Sequence, residues 1–170
     1  MNKLLLCSGP FSIDGFKTLD ANPEFHPDYC AVLPPLPREV REGQWSEIYL
    51  IHGIEHFYIW EVPELLTQIH EALCDGGTII MEQPNLEVCA KVLLGLIPPM
   101  TPKPLASGIQ AIYGDPQYGN PFMAHKWGWT PESLTETMIA CGFDRSRVKT
   151  GKALSRTFAG ERDFRLEATK

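Results

Sequence analysis

Between Glu47 and Met81 the chain changes its hydrophobic rhythm twice, and this change restricts the fold more than any other feature. Glu47 to Ile51 (EIYLI) is short and rich in β-branched and aromatic residues, as strands are. Pro63 to Leu73 then places Leu65, Leu66, Ile69 and Leu73 at the i, i+3/i+4 spacing of an amphipathic helix. Pro63 falls in its first turn, where the missing N–H costs nothing. Gly76-Gly77 is the expected helix stop, and Thr78 to Met81 (TIIM) the next strand, closed by Gln83-Pro84. A helix between two strands connects parallel neighbours, so the central sheet is expected to be largely parallel.

The flanking segments extend this order. Lys3 to Cys7 (KLLLC) reads as a buried strand entering a tight Ser-Gly-Pro turn. Gly15 to Asp20 and Asp28 to Leu33 (DYCAVL) read as two more strands, and Pro34 to Gln44 as a surface loop. Leu86 to Leu96 is expected to be helical. Thr130 caps a helix over Pro131 to Cys141 with a partial capping box, and Gly142 ends it. Arg147 to Thr150 and Asp163 to Ala168 (DFRLEA) form a C-terminal antiparallel pair, the second alternating apolar and polar residues. The whole is an α/β arrangement expected to span residues 1–170 as one domain. Residues 97–129, rich in Pro, Gly and Tyr, are read as an irregular lid, because so long a loop in a compact domain is more often functional than filler.

Charge and cysteine usage narrow the classes of partner. Fifteen basic against 21 acidic residues give a net charge of −6, which argues against a nucleic-acid partner. No run approaches the ~18 apolar residues of a membrane span. The apolar start LLLC stops at Leu6, before Gly9 and Pro10, too short for the hydrophobic region of a signal peptide. Cys7, Cys30, Cys74, Cys89 and Cys141 are odd in number and form no CxxC pair, so reduced thiols in a cytoplasmic protein are expected.

Ligands of parallel α/β sheets bind beyond the carboxyl ends of the strands. That topology gathers Cys7-Ser8-Gly9, Asp20, Leu33 and His52-Gly53 around one crevice. Gly9 either lets a ligand approach the backbone or forms a tight turn. Asp20 either accepts hydrogen bonds from ribose hydroxyls or caps the turn before Pro23. The chain has no GxGxxG, so a pyrophosphate cradle is not supported. HGIEHF (His52 to Phe57) is the densest titratable cluster and has two open readings. Its backbone lines the crevice, or His52, Glu55 and His56, with His125 from the lid, hold a divalent metal. A zinc-protease helix is excluded, because a strand leads into the motif and Gly53, Trp60 and Pro63 leave no long helix.

LLLCSGP…GFKTLD, SEIYLIHGIEHF, LLTQIHEALCDGGTIIMEQPNLE and HKWGWTPESLTETMIACGF together resemble class I S-adenosylmethionine-dependent methyltransferases. They look closest to small predicted methyltransferases carrying LNLGCG, HxLEH, LxPGG and a late HxxGWT segment. The resemblance runs from about Lys3 to the DFRLEA strand. It implies a Rossmann-like fold with S-adenosylmethionine as cofactor. Cys7, Ser8 and Gly9 would lie under its methionine part, Asp20 at the ribose, and Val32 and Leu33 by the adenine. His52, Gly53 and Ile54 would meet it through their backbone, with Glu55 and His56 behind. Glu82 to Asn85 would open toward the acceptor. The family's GxG is reduced here to Gly9, its acidic residue by the adenine is Val32, and the short span from Gly9 to Asp20 implies a shortened first crossover helix.

The expected activity is direct methyl transfer to a small-molecule or glycan acceptor, by a monomer or homodimer. For a hydroxyl acceptor, His52, His56 and His125 are the candidate catalytic bases. Tyr113, Tyr118, Phe122, Trp127 and Trp129 either cover the acceptor or pack the lid. The reduced glycine motif motivates a rival class, a cofactor-binding or assembly protein without turnover. A nicotinamide-dependent oxidoreductase ranks last, because SGPFSIDG offers no pyrophosphate turn.

Overall fold

Seven strands form one sheet in the order β3-β2-β1-β4-β5-β7-β6 in the computed structural model, which describes residues 2–100, 108–115, 119–155 and 161–170. Strands β1 (Lys3–Leu6), β2 (Lys17–Asp20), β3 (Tyr29–Cys30), β4 (Trp45–Ile51) and β5 (Leu73–Pro84) run parallel. β6 (Val148–Lys152) and β7 (Asp163–Thr169) form the antiparallel pair, with β7 hydrogen-bonded to β5. Register brings the functional ends level: Leu6 pairs with both Leu19 and Leu50, Ile51 with Glu82, and Pro84 with Asp163.

One face of the sheet is dry. Leu4, Leu6, Ile48, Leu50, Ile79 and Met81 are fully buried against α2 (Val62–Ala72) and the C-terminal helix (Pro131–Ala140). The apolar spacing read in the sequence supplies the other side of that core: Leu65, Leu66 and Ile69 are each fully buried. Burial of such a side chain stabilises by about 1.5–3 kcal/mol. The opposite face is different. Its central residues alternate into Lys3, Glu47, Tyr49, Glu82 and Arg165. Lys3 pairs with Glu47 at 2.7 Å, and Phe16 meets Tyr49 edge-on at 4.8 Å. The cause is the first link. Residues 7–16 are too few for a crossover helix, and among the described residues they form only turns.

Several local expectations change. The segment read as a surface loop contains α1 (Arg38–Arg41). Leu36 and Val40 lie four residues apart and both turn inward; Leu36 N donates to Gln68 Oε1 at 2.6 Å, and Trp45 Nε1 donates to the Val40 carbonyl at 2.6 Å. β3 keeps only two residues, because its partner β2 ends at Asp20, level with Cys30. Gly76-Gly77 does not stop α2, which ends at Ala72 as Leu73 pairs with Trp45. The glycines serve the strand instead: Gly76 has φ +75°, and a Cβ on Gly77 would lie 2.6 Å from the Trp45 carbonyl oxygen. α3 (Leu86–Leu93) is shorter than expected. The lid holds α4 (Ile109–Tyr113) and a 3-10 turn at Pro121–Met123. The C-terminal helix, α5, has a complete capping box, with Ser133 N donating to Thr130 Oγ1 at 3.1 Å and Thr130 N to Ser133 Oγ at 3.0 Å.

Candidate active site

The tips of β1, β2 and β4 converge, held by the backbone. Ser8 N donates to the Leu19 carbonyl at 3.1 Å, and Gly9 N to Asp20 Oδ2 at 2.7 Å. Asp20 Oδ1 accepts from Asn22 N at 2.8 Å, so this carboxylate closes its own turn and ties β2 to the first loop. Gly9 has φ +55° with open space where a Cβ would stand, so conformation rather than crowding selects glycine. Cys7, at φ 51°, adopts the same left-handed backbone with a side chain, a costly arrangement for a non-glycine residue. Its Cβ would lie 3.1 Å from a Cβ on Gly53, so the β4 tip needs glycine to pass it. Burial, with help from Asp20 and Glu55, pushes the Cys7 thiol up to about 12. Leu33 and Ile54 turn into the core, which leaves Ile54 only its backbone for a ligand, whereas Val32 is exposed.

A second set lies beyond β4 and β5 and is held by charge. His52 also has positive φ, at 50°, and its amide donates to the Glu82 carbonyl at 2.7 Å. Its ring lies between two carboxylates, Nδ1 at 3.3 Å from Glu55 Oε1 and Nε2 at 3.1 Å from Asp163 Oδ2. Arg162 grips the same Asp163 through Nε at 2.6 Å and Nη2 at 2.9 Å. Burial works against a charged His52, but the two carboxylates outweigh it and raise the ring to about 9. Burial likewise opposes ionised Glu55, yet His52, with His56 and His125 nearby, brings it down to about 2. Asp163 is also held below its ordinary value against burial, by His52 and Arg162. A protonated His52 has no lone pair with which to take a proton. Of the three expected bases, His125 is the one that burial holds toward its neutral form.

The lid joins this set. Lys126 N donates to the Glu55 carbonyl at 2.7 Å and His125 N to the Tyr113 carbonyl at 3.1 Å. These bonds bring His125 over His56, ring centroids 4.9 Å apart and nearly perpendicular. Burial lowers His125 toward its neutral form. Glu55, His56 and His125 each offer an atom within 4.8 Å of the others. His52 is not in that group, so the four-residue metal set expected from the sequence reduces to three, because its ring turns toward Asp163. Trp129 is buried and packs the lid, its carbonyl accepting from Leu86 N at 2.8 Å, while Tyr113, Phe122 and Trp127 stay exposed. Tyr118 lies outside the described residues. Sequence reasoning missed Arg162 and Asp163; the signal was the antiparallel direction of the last strand, which carries its first residue to the ligand-binding edge. Gln83, within the Glu82 to Asn85 segment expected to open toward the acceptor, is fully buried, and among the described residues neither amide atom is bonded.

No family model and no curated protein matches the chain. Solved structures do. It is similar to a SAM dependent methyltransferase from Archaeoglobus fulgidus at 16% identity, over 99% of this chain and 86% of that one, with a TM-score of 0.59. A second, from Mesorhizobium loti, matches at 14% identity over 99% and 90%, with a TM-score of 0.64. A third, titled a possible histamine N-methyltransferase from Thermotoga maritima, matches at 13% identity over 99% and 82%, with a TM-score of 0.60. The fold is therefore that of the class I S-adenosylmethionine-dependent methyltransferases, with a first link, residues 7–16, that forms turns in place of a helix.

Proposed function

We propose that the chain binds S-adenosylmethionine at the tips of β1, β2 and β4 and transfers its methyl group to a small molecule or sugar under the lid. Asp20 carries this reading. Each of its oxygens accepts one backbone N–H and retains a second lone pair, the acceptor a ribose hydroxyl needs. Open space at Gly9 and the exposed apolar Val32 suit the rest of a nucleoside. Cys7, Ser8, Gly53 and Ile54 offer backbone contacts.

Bound S-adenosylmethionine supplies a methyl group already activated on a sulfonium. The protein's remaining task is alignment and exclusion of water. An open depression of about 470 Å³ along Ile109, Gln110, Tyr113, Asn120 and Met123 offers room for the acceptor. For a hydroxyl acceptor, His56 or His125 takes the proton. A divalent ion is an addition to this scheme rather than a requirement of it. One observation favours a binding protein without turnover: the first loop keeps a strained, bulky Cys7 where the resembling family has glycine.

Calorimetric titration with S-adenosylmethionine and its demethylated product tests the reading. Asp20→Ala is expected to lose roughly tenfold to a hundredfold in affinity, the value of a hydrogen bond to a charged group. Failure of the folded wild-type chain to bind either compound overturns the reading. Binding without turnover on hydroxyl, amine and sugar acceptors selects the rival.

A further inference from the structure

Methyl transfer leaves Glu55 without a task. Glu55 is 2% exposed, and among the described residues neither carboxylate oxygen has a hydrogen-bond partner. The carboxylate meets the His52 ring at 3.3 Å. Its ion-pair partner, His52, is shared with Asp163, so the buried carboxylate keeps lone pairs for a further cation. A separate cavity of about 10 Å³ touches Glu55 beside Leu86, Trp127 and Trp129, and neither His56 nor His125 lines it.

The two histidines nearby have a fixed orientation. His56 Nδ1 lies 3.2 Å from the Ala124 carbonyl oxygen, and His125 Nδ1 2.9 Å from that of Ala111. A carbonyl only accepts, so each Nδ1 carries the proton and each lone pair sits on Nε2. A backbone carbonyl on one ring nitrogen is how metal-ligating histidines are oriented. Two imidazoles with one carboxylate suit a borderline ion such as zinc over the hard, oxygen-seeking magnesium.

We propose that Glu55, His56 and His125 bind one divalent ion of the zinc type, through a carboxylate oxygen and two Nε2 atoms, with a fourth position open. The site does not depend on the methyl-transfer reading. Ligand atoms about 2.1 Å from a tetrahedral zinc lie about 3.4 Å apart, so the three groups would draw in by about 1 Å as the ion enters. The open position would face a water or an acceptor oxygen. With the ion bound, both Nε2 lone pairs are engaged and neither ring is a free base.

The test titrates Zn²⁺ calorimetrically, and Co²⁺ by visible absorption, into tag-free, chelator-stripped, reduced full-length chain without S-adenosylmethionine. One ion per chain and a concentration-dependent rise in Tm are expected. Glu55→Gln and His125→Ala should each weaken binding by at least about tenfold, since even outer-shell losses reach that size. His56→Gln should do the same, and the exposed His26→Ala should bind as wild type. Circular dichroism checks each fold. No uptake by folded wild type, or uptake that survives all three substitutions because thiols hold the ion, overturns the proposal. Titrating S-adenosylmethionine into the same samples separates the readings: lost metal uptake with cofactor binding intact sinks only this site, and the reverse sinks only the methyltransferase.

Discussion

The two ends of the ligand-binding edge are built by different means. At β1 and β2 the chain is positioned by its own backbone, with left-handed Cys7 and Gly9, two loop amides and a single carboxylate. At β4, β5 and β7 it is positioned by side-chain charge, with His52 and Arg162 balanced by Glu55 and Asp163. The first end rests on one ionisable group, Asp20. In the second, buried opposite charges compensate one another. A ligand pocket can thus be rigid on one side by geometry and on the other by electrostatics.

Breaking the charged end should produce the largest effect. Asp163→Ala removes the buried carboxylate that His52 and Arg162 share and is expected to cost about 3–5 kcal/mol, read as a lower urea midpoint at unchanged slope. The same set fixes the pH response. His52 is raised from its ordinary 6.5 to about 9, so the stability it contributes is complete below 6.5 and lost as pH rises through 9. Urea midpoints measured across that window should fall in the wild type. The slope should flatten in His52→Gln, and a flat wild-type profile would contradict the ion pairs. Gly53→Ala tests the geometric end by placing a methyl against Leu50 and Cys7, at about 1–3 kcal/mol by thermal unfolding. Asp20→Ala should cost least in stability, about 1 kcal/mol by the same measurement, although it costs most in cofactor affinity.

The contrast also explains what could be read in advance. The β4–α2–β5 unit was legible because its periodicity is local, and the capped α5 because Thr130 and Ser133 are neighbours. The place of Asp20 and Gly9 at neighbouring strand tips was legible because strand ends follow from topology. α1 was hidden because proline-rich composition suggests a loop, while the burial of Leu36 and Val40 depends on Gln68 and Trp45 far along the chain. His52 looked like a ligand or base; its actual partner, Asp163, comes from the last strand, and no local pattern announces that pairing. The lid's His125 is set beside Glu55 and His56 by its own amide donating to the Tyr113 carbonyl and by the Lys126 amide donating to the Glu55 carbonyl, which composition does not encode.

The missing crossover helix has a consequence for how the molecule breathes. On the sheet's second face the turn residue Phe16 lies on Tyr49 of β4, with the Lys3 ammonium of β1 5.4 Å from the Phe16 ring centroid, and among the described residues the first link places no helix over β2. Few apolar atoms must separate for water to reach the ladder there, so the amides of β2 exchange with solvent through small local openings. Those of β4 and β5, between two paired neighbours and under α2, wait for global unfolding.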